Sequence, residues 1–323
     1  MKKLKEIFNF IKETYLAWDK NDPFAQSAII AYYTLFSLPS LLMIVTTLAG
    51  YFFGREAVQG RISGQIGNYI GPDSAEAIEE MISNVTLNDG NWVTIIIGLA
   101  ALLYGATGVF FRMKMAMNNI WNVREKKQNF KTMVKNRAIS FGMVLILGFM
   151  LLVSLVISAG LAALSEYLET VAPSVTVFAD VLKYLISFAF IAALFAAIFK
   201  ILPDVKMTYK TTLLGASVTA ILFLIGEYAL GYYFTSNNPA SVYGGAASIV
   251  LILLWVNYTC LILFFGAEIT VQYALSTKHR IRPSSNAELA FEQQLEELKK
   301  KEKQALEDKK KAEELKHNPP EDN

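Results

Sequence analysis

Residues Tyr228–Ala267, YALGYYFTSNNPASVYGGAASIVLILLWVNYTCLILFFGA, run from the end of one apolar segment through most of the next without an Asp, Glu, Lys or Arg. A helix crosses a bilayer with about 20 mostly apolar residues. Pro23–Gly54, Gly90–Phe111 and Ala138–Ser165 are also free of charge. With the interrupted runs added, six spans are expected, near Ala25–Phe53, Trp92–Phe111, Ile139–Leu164, Val181–Ile201, Thr211–Phe234 and Ala246–Ala274. The fold class is therefore all-α: a polytopic integral membrane protein with six transmembrane helices and an N-terminal amphipathic helix. Three regions follow: a cytoplasmic amphipathic helix (1–22), a six-helix transmembrane domain (23–277) and a charged cytoplasmic tail (278–323).

The net charge of +2 conceals an alternation along the chain. The N-terminal segment carries Lys2, Lys3, Lys5, Lys12 and Lys20, whereas the first connection carries Glu56, Asp73, Glu76, Glu79, Glu80 and Asp89 against Arg55 and Arg61. The second connection is basic, with Arg112, Lys114, Arg124, Lys126, Lys127, Lys131, Lys135 and Arg137 facing Glu125; the third holds Glu166, Glu169 and Asp180. The fourth sets Lys200, Lys206 and Lys210 against Asp204, and the exit from the last span has Lys278, Arg280 and Arg282. Basic connections stay in the cytoplasm. Both termini are thus expected inside a bacterial cytoplasmic (inner) membrane, with the lipid bilayer as the first partner and anionic lipids drawn to the basic face.

Leu4, Ile7, Phe8, Ile11, Tyr15 and Trp18 recur at helical spacing between Lys and Glu. This pattern suits a helix lying on the membrane surface or one packed on the protein's own cytoplasmic helices. The connection Gly54–Asn91 is long enough for structure of its own. In it, Asp73 and Glu76 read as an N-cap and its partner opening a short acidic helix through Ile82; a plain solvated connector is the expectation for the whole, ahead of an external cap. Beyond Pro283, Glu288–Lys316 is dense in Glu and Lys with sparse leucines, the pattern of a solvated helix or a disordered tail.

Enzyme chemistry finds little support. His279 and His317 are the only histidines and Cys260 the only cysteine. This composition disfavours a cysteine-rich zinc site, a disulfide and a Cys–His pair, and no phosphate-binding glycine loop or nucleophile elbow is present. No catalytic residue, metal site, cofactor or nucleic-acid partner is expected, while an oligomer is compatible with the sequence.

The polar groups inside the spans are more informative. Glu227 in the fifth span and Glu268 in the sixth are intramembrane carboxylates, which are costly and mark polar pathways or structural pairs. They fall in opposite leaflets, Glu227 about 10 Å from the outer end of its span and Glu268 about 15 Å before Lys278 on the inner side. Pro39, close to Tyr32 and Tyr33, is expected to kink or break the first span because it lacks a backbone donor. Tyr32, Tyr33 and Asn257 are candidate polar lining. Gly105, Gly108, Gly244, Gly245 and Gly266 mark close helix approach or bending. Past Val109 the apolar face continues through Met113, Met117 and Ile120, so the second span should project into the cytoplasm as a helix.

These residues include Ala31-Tyr32-Tyr33-Thr34-Leu35-Phe36-Ser37-Leu38, Ala106-Thr107-Gly108-Val109-Phe110 with Asn119-Ile120-Trp121, and Leu202-Pro203-Asp204. Further on stand Gly215-Ala216, Tyr243-Gly244-Gly245-Ala246-Ala247-Ser248, Leu254-Trp255 and Gly266-Ala267-Glu268. In this order the chain resembles the YihY/BrkB membrane proteins, also described as virulence factor BrkB-like and historically labelled ribonuclease BN-like. The resemblance covers roughly Leu4 to Ala274. It departs at Pro39-Ser40, where Ala-Pro is common, and at Arg112–Met117, which lacks an expected glutamine. It implies a six-helix inner-membrane protein. The ribonuclease label is disfavoured, because Glu125 and Asp204 read as isolated carboxylates rather than a metal cluster. The functional expectation is a transporter or permease-like protein of unassigned substrate, with Glu268 and Glu227 as proton- or cation-responsive groups. The alternative is a non-transporting scaffold that binds lipid or partner proteins.

Overall fold

A computed structural model describes residues 2–70, 72–84, 92–126, 133–146, 148–150, 153, 157, 160, 176–237, 243, 246–277, 282–285, 287–290, 295, 298–299 and 301–306. The chain opens with α1 (Lys2–Lys20) and α2 (Pro23–Phe53), then α3 (Arg55–Ile70), α4 (Pro72–Asn84) and α5 (Trp92–Ile120). Strand β1 (Val123–Glu125) leads to α6 (residues 133–146), α7 (Thr176–Ile201), β2 (Val205–Lys206) and α8 (Tyr209–Asn237). The last elements are α9 (Ala247–Ser276), β3 (Arg282–Pro283) and β4 (Ala287–Leu289).

Four helical segments among the described residues are long and apolar enough to cross a membrane: Met133–Met150, Tyr184–Ile201, Tyr209–Tyr233 and Ala247–Ser276. The uncharged α2, with 31 residues, is also of spanning length. Pro39 lies within α2, which continues through it, so the expected interruption is not a break. Two sharp corners frame this helix. Asp22 takes a left-handed conformation (φ 50°) before Pro23 at the helix start, and Gly54 (φ 84°) turns the chain into α3.

α9 is the hub. It packs on α2, α8, α1, α4 and α5, while α7 packs on α8 and α2 on α5. The α8–α9 contact interlocks. The Thr219 hydroxyl donates to the Gly215 carbonyl and the Thr270 hydroxyl to the Gly266 carbonyl, each at 2.7 Å within its own helix. Across the interface Gly215 faces Thr270 and Gly266 faces Thr219, and a Cβ on either glycine would collide with the opposite hydroxyl. Farther along, Gly226 lies against Tyr258, which fixes an antiparallel register.

The main core gathers Met117, Trp121, Phe199, Leu202, Leu263 and Phe264 toward the end of the bundle where α5 emerges. Met113, Met117 and Ile120 are buried there, as expected for packing residues on a projecting helix. A second core joins Val58, Ile62 and Ile78 of α3 and α4 to Leu42 of α2 and Leu251 and Ile252 of α9. This corrects the reading of Gly54–Asn91 as a plain connector: three aliphatic side chains from it are buried on the spans, a cap in place of a solvated loop. The short acidic helix expected within it is α4, but it begins at Pro72, so Asp73 lies inside the first turn and is not its N-cap.

The tail also departs from expectation near its start. β4 pairs antiparallel with β1, Val123 opposite Leu289 and Arg124 opposite Glu288, and β3 pairs with β2. The Ala290 N–H donates to the Asn122 carbonyl and the Ser284 N–H to the Asp204 carbonyl, both at 2.8 Å. Ala287 is buried and Leu289 packs on the main core. Residues 301–306 are helical and exposed, as a solvated helix should be.

Candidate functional site

Glu268 is carried by α9 directly after Gly266-Ala267, where the close approach to α8 leaves no room for a larger neighbour. Its side chain is buried (2% exposed). One carboxylate oxygen accepts from Gln272 Nε2, one helical turn on, at 3.0 Å, and the other from Asn21 Nδ2 at 3.3 Å. Asn21 belongs to the corner between α1 and α2 and also donates to the Ala17 carbonyl at 3.1 Å. Above it Trp18 stacks edge-on against Phe24 and Phe265, with ring centroids 5.5 and 5.8 Å apart. Among the described residues, then, neutral amides hold this carboxylate. They can orient it, but they do not cancel a full charge.

The register that sets Gly226 against Tyr258 puts Glu227 level with Asn257, roughly 16 Å along the bundle from Glu268 at 1.5 Å per residue. Both Glu227 and Asn257 are half-buried. Tyr33 accepts a hydrogen bond from Arg112 Nη2 at 2.8 Å, and the guanidinium lies 4.8 Å from its ring centroid. Tyr32 is exposed and stacks with Tyr33 and Phe36 on the outer surface of α2. Pro39 is half-buried. Gly108 is buried against Tyr33 and Gly105 half-buried, while Gly244 and Gly245 lie outside the described residues. The structure thus joins Glu268 to the α1–α2 corner and Tyr33 to α5, and separates Glu227 with Asn257 into a second level.

A third constellation was missed. Lys114, on α5, is 2% exposed; its ammonium donates to Glu125 Oε1 (2.8 Å) and Asn136 Oδ1 (2.7 Å) and forms an ion pair with Asp204 Oδ2 at 2.8 Å. The Asn136 amide donates back to both Glu125 oxygens at 2.7 and 2.8 Å. Asn118 and Asp204 exchange two bonds: Asn118 Nδ2 donates to Asp204 Oδ2 at 2.9 Å, and the Asp204 N–H to Asn118 Oδ1 at 2.8 Å. Glu125 and Asp204 are therefore not isolated carboxylates, as the sequence suggested; they share one buried lysine. The signal was available, since Lys114 lies one turn from Phe110 and Asn118 on the helix face that buries Met117 and Trp121. Beside this network Trp121 Nε1 donates to Met207 Sδ at 3.1 Å and Lys200 bonds the Met207 carbonyl.

No group of three metal-ligating side chains occurs among the described residues. The network has one cation at its centre, whereas among the described residues Glu268 has none beside it.

The family model for virulence factor BrkB matches residues 14–289, which includes both tail strands. Among curated proteins, the UPF0761 membrane protein of Vibrio vulnificus strain YJ016 is 25% identical over 80% of this chain and 79% of its own. That of Psychromonas ingrahamii is 26% identical over 84% and 89%. A Bacillus subtilis protein named ribonuclease-like YfkH is 23% identical over 86% and 98%. No solved structure matches the chain. A match that spans both cores, the Lys114 network and the tail clasp makes this chain a membrane protein belonging to the virulence factor BrkB family.

Proposed function

We propose that the protein is a transporter or permease-like protein of the bacterial inner membrane, with six spans and both termini in the cytoplasm, in which Glu268 is the proton- or cation-responsive group. The observation that carries this reading is a buried carboxylate in a spanning helix whose described partners, Asn21 and Gln272, are both neutral. An uncompensated charge is costly at such a place, so a group kept there is expected to exchange a proton or a cation with a polar route. Glu227, level with Asn257 toward the outer side, is the second station of that route. The substrate class is left unassigned, and the reading includes no catalytic step. Liposomes reconstituted with the protein and loaded with a pH-reporting dye test it: a pH step should drive proton movement in the wild type and not in Glu268→Gln.

A scaffold reading has its own support. The network around Lys114 and the strand pairs β1–β4 and β2–β3 make a closed cytoplasmic platform, suited to holding a surface for lipid or a partner protein. Equal dye responses in wild type, Glu268→Gln and empty liposomes, with a lowered melting temperature for the variant, would favour it.

A further inference from the structure

The face of α1 that the protein leaves uncovered is built for one environment. Thr14 is buried and Phe10, Ala17, Trp18 and Asn21 are half-buried, which defines the side turned to α9 and α2. Ile7, Phe8, Ile11, Tyr15 and Leu16 remain 52 to 67% exposed. On a helical projection Ile7, Phe8, Ile11 and Tyr15 form a stripe beside the protein-facing side. Lys5 and Lys12 flank that stripe, whereas Glu6 and Glu13 fall on the opposite side, and all four are exposed. Over residues 5–13, apolar surface, a cationic margin and an acidic far side are thus sorted around the helix; in its last turn Asp19 falls on the lysine side and Lys20 on the acidic side.

Depth is fixed independently. Trp18 packs on Phe265 and Asn21 bonds Glu268, both inside the spanning helix α9, and Glu268 lies about 12 Å from the α9 end at Ser276. The helix therefore leaves the bundle at the level where the spans meet headgroups. An exposed apolar stripe at that level meets acyl chains, with its lysines at the phosphates.

We infer that α1 is a docking surface for the cytoplasmic leaflet that selects anionic phospholipid: Phe8, Ile11 and Tyr15 enter the acyl boundary, and Lys5 and Lys12 contact headgroup phosphates. The inference concerns the surface alone and stands or falls separately from the transport reading.

The full chain in a Cys260→Ala background, spin-labelled at Phe8→Cys or at Glu13→Cys, is reconstituted in phosphatidylcholine vesicles with and without phosphatidylglycerol. Accessibility to oxygen and to a water-soluble nickel chelate is then measured. The label at residue 8 should become oxygen-accessible and nickel-protected when phosphatidylglycerol is present, while the label at residue 13 stays nickel-accessible. Lys5→Gln with Lys12→Gln should lower the docked-to-undocked ratio about 30-fold, from about 1 kcal/mol per lysine near an anionic surface. Nickel access at residue 8 in both lipid mixtures, or equal protection in both, overturns the inference. Protection of residues 8 and 13 together, the signature of a second copy or a protein partner around the helix, also overturns it.

Discussion

The two ends of the bundle are closed by different physics. At one end α3 and α4 lay Val58, Ile62 and Ile78 on Leu42, Leu251 and Ile252, an apolar seal. At the opposite end the closure is a buried lysine held by Glu125, Asp204 and Asn136, with Asn118 bonded to Asp204, clamped by strands from the tail. An apolar seal loosens gradually as methyl groups are removed. A buried charge network fails sharply, because deleting one partner strands the others without solvent. Glu268 lies nearer the second of these ends and, among the described residues, is held by two amides.

Lys114→Met should have the largest effect of any single change. It leaves Glu125 and Asp204 facing each other without their cation, and loss of one partner from a buried pair costs about 3 to 5 kcal/mol. Thermal melts in detergent should show it, with partial recovery when Glu125→Gln and Asp204→Asn are added. If the single variant melts like the wild type, the network is not what closes this end.

Ile78→Ala probes the other end. Ile78 is 1% exposed, and truncating a buried isoleucine costs about 2 to 5 kcal/mol, less where the cavity collapses. The value here should fall in the lower half of that range, because a short helix at the end of the bundle can settle inward. It should also leave the cytoplasmic network intact, so the losses from Lys114→Met and Ile78→Ala should add within about 0.5 kcal/mol in the double variant. Strong coupling would mean that the two closures form one unit.

The smallest effect divides the tail. Truncation after Asn286 removes β4 with buried Ala287 and the bond from the Ala290 N–H to Asn122, and should cost about 1 to 2 kcal/mol. Truncation after Ala290 removes a segment whose described residues are all exposed, and should leave the melting temperature unchanged. Equal melting of the two truncations would show that the strand pair contributes nothing.

What the sequence revealed follows its ranges of interaction. The continuation of α5 past Val109 to Ile120 and a short acidic helix at Pro72–Asn84 rest on local apolar spacing and are present, and four helices of spanning length occur among the described residues; the N-cap assigned to Asp73 is not, because α4 already begins at Pro72. The outer cap was underread because Val58, Ile62 and Ile78 are three apolar residues scattered among Glu and Gly. Only their placement against Leu42 and Leu251 makes them a core. The Lys114 network was missed for a similar reason. Lys114 was counted among the basic residues of a loop, although its helical phase points it into the core, and its partners Glu125, Asn136 and Asp204 come from three separate elements. The β1–β4 clasp joins residues 123 and 289, a pairing that short, charged strands do not announce. For the site, Glu268 was visible as an ionisable residue in an apolar run, but its partner Asn21 was not, because a corner at the far end of the chain supplies it.

The most direct test of the central claim is proton movement across liposome membranes that contain the protein, read from an internal pH dye after an external pH step, in wild type and Glu268→Gln matched for insertion and melting temperature. The account predicts a protein-dependent response in the wild type that Glu268→Gln abolishes while folding is preserved, with Glu227→Gln reducing but not eliminating it. A response in Glu268→Gln equal to that of the wild type would contradict the account.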